Sequence, residues 1–419
     1  MVIDGSTASG QILPHLNNHH SKKEKTVKSK NLIGCSVMVA VLMTLMVLSQ
    51  VSAASKKLPG IIGLTTYGSG SKGYAIAMGV AHAIEKNAGI KTRIIPAATK
   101  PRALAVNRKE VVLGVQYEAE FYEMQGGIWT FQKDGPMDFA LAWNGYKGNT
   151  TLMWRGDADI KNPEADLKGK RVPYYGDYSP GQQMLVDGKL AFFGIGRDDV
   201  KWVPGATYVK GMQMVIDGKA DIAYVSASAS AVNELASSIH GAVLADLPAS
   251  NEEAWARVKV VCPIAGPGKI DIGYSASPEH PKEWMTYPGY YQTRFDTDED
   301  LIYTLVKAIY KGYDIYKGSH PEAPRWNIDS ALDLDTLNST GLPYHSGAVK
   351  LFKEIGRWTD AHEKWQQSRL EFRTKVQEAY KQAIETAKAQ NIKKEDEKFA
   401  NLWTPEYQKM RAELAAKKY

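Results

Sequence analysis

Cysteine is nearly absent from this chain: Cys35 and Cys262 are the only two in 419 residues. At most one intrachain disulfide is possible, so stability must come from an apolar core rather than covalent staples. Cys262 ends the apolar run Val258-Lys259-Val260-Val261-Cys262-Pro263, which reads as a buried strand, and no neighbouring histidine is there to activate the thiol. His82, His240, His280, His320, His345 and His362 are scattered without ligand spacing, so neither a metal nor a cofactor is expected. Neither a G-x-S-x-G elbow nor a zinc-protease motif occurs. These absences argue against an enzyme. Excess charge is missing too. The net charge is +6, and half of it lies in residues 1–53, where five lysines face two acidic residues. The remainder carries too little positive charge for nucleic acid to be a partner.

What residues 1–53 do contain is an export pattern. A lysine cluster precedes an uncharged stretch from Leu32 to Leu48, followed by the small-x-small site Val51-Ser52-Ala53. The expectation is a signal peptide cleaved after Ala53 and a periplasmic mature protein. The apolar run is slightly shorter than the ~20 residues of a membrane span, which leaves an uncleaved anchor as the second reading. Cys35 precedes the apolar run instead of following it, so it is not a lipidation site.

The richest stretch is Gly68-Ser69-Gly70-Ser71-Lys72-Gly73-Tyr74. It follows the strand-like Ile61–Tyr67 and opens a helix from Tyr74 to Lys86. A strand, a Gly/Ser turn and a helix start present free N–H groups and the positive end of a dipole, which together cradle an anion. The spacing also fits G-x-G-x-x-G, but the second strand ends in Pro96-Ala97-Ala98-Thr99-Lys100-Pro101, without the acidic residue a dinucleotide fold uses on the ribose. Lys72 lies inside the loop, so a P-loop does not fit either. A small-anion site and a purely structural turn remain as the two main readings.

Short apolar runs then alternate with helical stretches, the pattern of an α/β fold with a mostly parallel sheet. A second series starts near Thr151 and repeats the theme: a strand over Lys170–Tyr175, a small-residue loop at 176–181 and a helix over Gln182–Phe193. Two lobes of similar build are expected. Residues 265–289 are rich in Gly, Pro and turns, and Asp298–Tyr316 forms a helix. Beyond Trp358 the texture changes: Trp358, Trp365, Phe372 and Ala379 recur every seven residues on a long amphipathic helix, broken near Asn391 and followed by a shorter one after Pro405. That extension either packs across the chain's own lobes or binds a partner or a second copy.

Several of these stretches resemble the extracytoplasmic solute receptors of TRAP transporters, in their TAXI subclass. The likeness runs over residues 58–358. It rests on the cradle at 68–73, on Ile94-Ile95-Pro96, and on Lys109-Glu110-Val111-Val112-Leu113-Gly114-Val115-Gln116. It continues in Asp166-Leu167-Lys168-Gly169-Lys170-Arg171-Val172 and Asp217-Gly218-Lys219-Ala220-Asp221-Ile222-Ala223-Tyr224, and ends in Gly341-Leu342-Pro343-Tyr344-His345-Ser346-Gly347-Ala348 and Phe352-Lys353-Glu354-Ile355-Gly356. The cradle departs from the family in having Lys72-Gly73 where a Gly-Gly pair is usual.

The resemblance implies a two-lobe, type II-like periplasmic-binding-protein fold with a hinged cleft, plus a C-terminal α-helical extension. Residues 54–150 and 264–358 would form lobe I, 151–263 lobe II and 359–419 the extension. The implied role is to capture a small organic anion, a glutamate-like amino acid or a dicarboxylate or keto acid, and deliver it to TRAP membrane subunits. A binding protein of an ABC-type importer for a sulfonate or heterocycle, or of a sensor system, is the alternative. The candidate ligand-binding residues are Ser69, Ser71, Lys72, Gly73 and Tyr74 of the cradle, and Gln116 and Glu118 at the end of the third strand. From the second lobe they are Tyr175, Tyr178 and Ser179 around the second loop and Ser226 after a strand. Each has a plain counterpart: serines in turns cap helices, and tyrosines fill cores.

Overall fold

A computed structural model describes residues 57–419, apart from Gly70, Tyr146, Ala227 and the side chain of Glu118. The expected signal peptide lies outside the described residues, among which no helix is long and apolar enough to cross a membrane.

The strands, in chain order, are β1 Ile61–Thr66, β2 Lys91–Pro96, β3 Leu113–Tyr117, β4 Phe139–Asn144, β5 Gly148–Arg155, β6 Arg171–Pro173, β7 Lys201–Val203, β8 Ile222–Val225, β9 Ala242–Leu244, β10 Gly266–Ile270, β11 Lys282–Tyr287 and β12 Gly289–Arg294. Five of them form one sheet in the order β2-β1-β3-β12-β4. Its β1–β2 and β1–β3 pairs are parallel, whereas β12 inserts antiparallel between β3 and β4. A second sheet has the order β10-β11-β5-β8, with β9 also paired to β5, and every pair is antiparallel. A short parallel pair, β6–β7, completes the second lobe. The expected mostly parallel sheet is therefore a mixed arrangement. The chain is a two-lobe α/β protein with a C-terminal helical extension.

Two short connectors join the lobes, one between β4 and β5 and one, Pro288, between β11 and β12. They lie side by side, with the Gly145 N–H donating to the Gly289 carbonyl at 2.8 Å. The chain returns to the first sheet at Gly289 and not at residue 264. Residues 266–287 supply a β-strand pair at the edge of the second sheet, where Pro267 and the glycines are tolerated because an outer strand need not donate on both sides. Glycine suits the second connector, because a Cβ at Gly289 would come within 2.4 Å of the Tyr117 ring.

The stretch read as a strand at 258–263 is the end of the helix Glu252–Val261, capped at Cys262. Its apolar residues include Val258, Val260 and Val261, and only Val258 of these is buried, so β-branched composition misled where helical spacing decided. Cys262 is fully buried, and burial pushes its thiol up to about 12, as suits a core residue.

The extension folds back onto the lobes. The helix Asp360–Ala389 ends before Asn391, whose positive φ of 54° turns the chain, and the second helix, Glu397–Ala415, begins before Pro405 and contains it. Phe372, Val376, Phe399, Trp403, Tyr407, Met410 and Leu414 join the same apolar core as Ala119, Tyr122 and the second lobe. Trp403 Nε1 donates to the Gly126 carbonyl at 2.6 Å, and Arg373 pairs with Asp138 at 2.5 Å. His345 accepts from the Gly347 N–H at 3.2 Å and caps the helix Ser346–Glu354, a structural task.

Candidate functional site

The Gly/Ser loop after β1 and the loop before the helix Pro180–Phe192 border one cavity of about 400 Å³. That volume suits a small organic solute. The first lobe contributes Tyr67, Ser69, Ser71, Lys72, Gly73, Tyr74, Tyr117 and Glu120, and the segment 320–322 adds His320. From the second sheet and its helices come Tyr178, Gln182, Tyr208, Met212, Tyr224, Ser226, Ser228, Glu234 and Tyr287, with Asn149 from β5. Seven of these residues are tyrosines, more than the sequence reading anticipated.

The cradle is built as a helix start. Ser71 Oγ accepts from the Tyr74 N–H at 3.2 Å and donates to the Gly68 carbonyl at 2.8 Å, so its hydroxyl is used by the cap. Lys72 also has a partner. Its Nζ lies 2.8 Å from Glu322 Oε2, 3.5 Å from Ser226 Oγ and over the Tyr117 ring at 5.9 Å. Glu322 is 2% exposed, and its second oxygen accepts from the Ser228 hydroxyl. Burial alone would raise the Glu322 carboxyl, but Lys72 and the donated hydrogen bonds override it and hold it below the ordinary value. Beside it, burial pushes the His320 imidazole down. Neither Glu322 nor His320 was singled out in the sequence as a cleft group, and no local pattern in His320-Pro321-Glu322 marks them.

Behind the cavity sits a second buried pair. Glu120 accepts from Arg102 at 3.0 Å, from Thr99 at 2.9 Å, from the Tyr67 hydroxyl and from the Tyr117 N–H. Arg102 is fully buried, stacks 3.8 Å from the Tyr67 ring centroid and donates to Gln116 Oε1 at 3.0 Å. This network fixes the Tyr67 ring in the cavity wall. It also accounts for Gln116, which is completely buried, bonded to Arg102 and absent from the lining. The side chain of Glu118 lies outside the described residues.

Around the second loop the candidates part. Tyr178 lines the cavity. Tyr175 is fully buried in the second-lobe core, edge-on to Tyr224 at 4.8 Å, and burial pushes its hydroxyl well up. Ser179 is buried and caps the helix Pro180–Phe192 by accepting from the Gln182 N–H at 3.3 Å. The same helix start faces Glu123 of the helix Glu118–Gly126, whose Oε1 accepts from the Gly181 N–H at 3.0 Å and from Ser179 Oγ at 3.5 Å. Glu123 is fully buried, its other oxygen has no partner, and burial pushes it up to about 8. Ser226 lines the cavity, donating to Asn149 Oδ1 at 3.2 Å, while its N–H donates to the Tyr208 hydroxyl at 2.9 Å. The structure thus brings Ser69, Ser71, Lys72, Gly73, Tyr74, Tyr178 and Ser226 together around one space, and places Gln116, Tyr175 and Ser179 outside it.

Among solved structures, the putative periplasmic sulfonate-binding protein SsuA of a sulfonate ABC transporter from Methylobacillus flagellatus KT is 13% identical. The match covers 72% of this chain and 88% of that one, with a TM-score of 0.43. The alkanesulfonate-binding protein SsuA from Xanthomonas axonopodis pv. citri, bound to MOPS, is 12% identical over 75% of this chain and 85% of its own, with a TM-score of 0.39. An ancestral arginine-binding protein bound to arginine is 16% identical over 63% and 97%, with a TM-score of 0.37. The NMT1-like family matches residues 64–356, and the chain belongs to that family.

Proposed function

We propose that this protein is the solute-binding subunit of a membrane importer, working outside the cytoplasmic membrane. The observation that carries the proposal is a cavity of about 400 Å³ lined from both lobes, whose main sheets are connected by two short adjacent segments. Such a hinge lets the lobes close on a solute and lets a membrane partner distinguish closed from open. Capture needs no bond-making residue. The ordered motif resemblance supports a TRAP assembly of the TAXI kind, with an organic anion as its implied cargo. An ABC-type importer is the second reading, favoured by the tyrosine wall, which suits a flat heterocycle as well as an aliphatic acid.

The test is a thermal-shift panel on residues 54–419, refolded from denaturant to strip any retained solute. A ligand at 100 times its Kd adds about 2.7 kcal/mol, enough for a shift of several degrees. One responsive chemical class supports solute capture, and silence across amino acids, keto acids, sulfonates, amines and heterocycles overturns it. Co-purification with a small and a large membrane subunit points to TRAP, and with an ATPase-bearing importer to the ABC reading.

A further inference from the structure

The cleft was expected to leave Lys72 free for a ligand carboxylate, yet the protein fills that seat itself. Glu322 reaches in from the segment before the helical return, pairs with Lys72 Nζ at 2.8 Å and accepts from Ser228 with its other oxygen. An incoming carboxylate must displace it and leave a carboxylate that is 2% exposed without its cation, a heavy desolvation penalty. The other cation, Arg102, is fully buried behind Tyr67 and bound to Glu120. Even the second helix start is closed by a carboxyl of the chain, that of Glu123.

What faces the space instead is aromatic and, on balance, negative. Of the charged side chains in the lining, Glu120 and the exposed Glu234 outnumber Lys72, while the partners Arg102 and Glu322 lie outside it. Phenol rings attract cations on their faces, and two of these rings already carry one, Lys72 over Tyr117 and Arg102 over Tyr67. Two polar atoms of the lining are left over, Thr150 Oγ1 and Asn149 Nδ2. Asn149 is 1% exposed, its Oδ1 accepts from Ser226, and its Nδ2 is buried without a partner at the cavity wall. It can donate to a single neutral acceptor.

Resting on the solute-binding proposal, we infer that the ligand is a small organic cation, an ammonium with one neutral hydrogen-bond acceptor. Glu322 acts as the built-in anion that excludes carboxylates and sulfonates. The rings of Tyr74, Tyr178, Tyr208 and Tyr287 bound the space for the cationic group, and Asn149 orients the acceptor.

The experiment is calorimetry on refolded residues 54–419 with choline, tetramethylammonium and tyramine, against glutamate, 2-oxoglutarate and ethanesulfonate. The wild type is expected to bind at least one cation and none of the anions. Glu322→Gln should weaken that cation at least tenfold and gain measurable binding of an anion through the freed Lys72. Should Glu322→Gln fail to fold, Glu234→Gln at the exposed edge gives the second reading: a several-fold weaker cation with shallower loss in salt than the wild type. Binding of an anion to the wild type, abolished by Lys72→Met, overturns the inference while leaving solute capture standing. Binding of nothing in this panel or the wider one overturns both.

Discussion

The two Gly/Ser loops look alike in sequence and do different things. Each follows a strand and opens a helix, and each ends in a serine cap, Ser71 or Ser179. The first faces the cavity and carries a lysine whose partner, Glu322, comes from 250 residues away. The second has its helix start packed against another helix: a Cβ on Gly181 would lie 2.4 Å from the Ala119 carbonyl, and Glu123 closes the N–H groups. One loop is a wall of the cleft and the other a joint between lobes. A helix N-terminus is therefore an anion site only in principle, since neighbouring carboxylates of the chain compete for it.

The joint is held from behind by the extension, which offers the strongest way to break the contrast. Trp403→Ala removes a fully buried indole and its bond to Gly126, so it should cost about 3–5 kcal/mol in urea unfolding. Amide exchange should quicken at Gly181 and Gln182 more than at Tyr74, and equal quickening at both loops would erase the distinction.

Glu123 gives the joint a pH dependence opposite in sign to that of Glu322 beside the first loop. The Glu123 carboxyl is pushed up from 4.5 to about 8, so the folded state holds the proton more tightly than the unfolded state. Its contribution is intact below about pH 4.5 and is lost progressively as pH rises towards 8, by a few kcal/mol at most. Glu123→Gln keeps an acceptor for Gly181 and removes the titration. The difference in urea midpoint between variant and wild type should thus grow from pH 5 to pH 8.5, and a constant difference would sink the assignment.

The smallest effect separates the two loop glycines. Gly181→Ala drives a methyl into a backbone carbonyl and should cost about 1–3 kcal/mol. Gly73→Ala meets the Tyr67 ring edge at 2.8 Å, side-chain atoms rather than a backbone carbonyl, and should cost less while altering the cavity wall. A reversed order in thermal melts would mean that the first loop is the tighter joint.

Much of the architecture is legible in the order of elements. The strands at 61–66 and 171–173 and the helices at 72–88, 180–192 and 299–311 fall within a few residues of where the sequence puts them. The edge pair β10–β11 escapes because its Gly and Pro content imitates a loop. Among the site groups, Ser69, Lys72, Tyr74 and Tyr178 sit in conspicuous loops. Glu322, Glu120 and Tyr208 do not, because a single acidic residue in a turn or helix looks the same whether it is solvated or buried.

The sequence by itself determined the alternation of strands and helices, the two loops, the capping serines and the amphipathic tail, because each depends on residues a few positions apart. Tertiary structure alone decided which charges remain available. Lys72 meets Glu322, Arg102 meets Glu120, and Glu123 meets Gly181 only when the lobes and the return segment close up. Burial then sets the cost of separating them, and burial is a property of the packed chain rather than of any stretch of it.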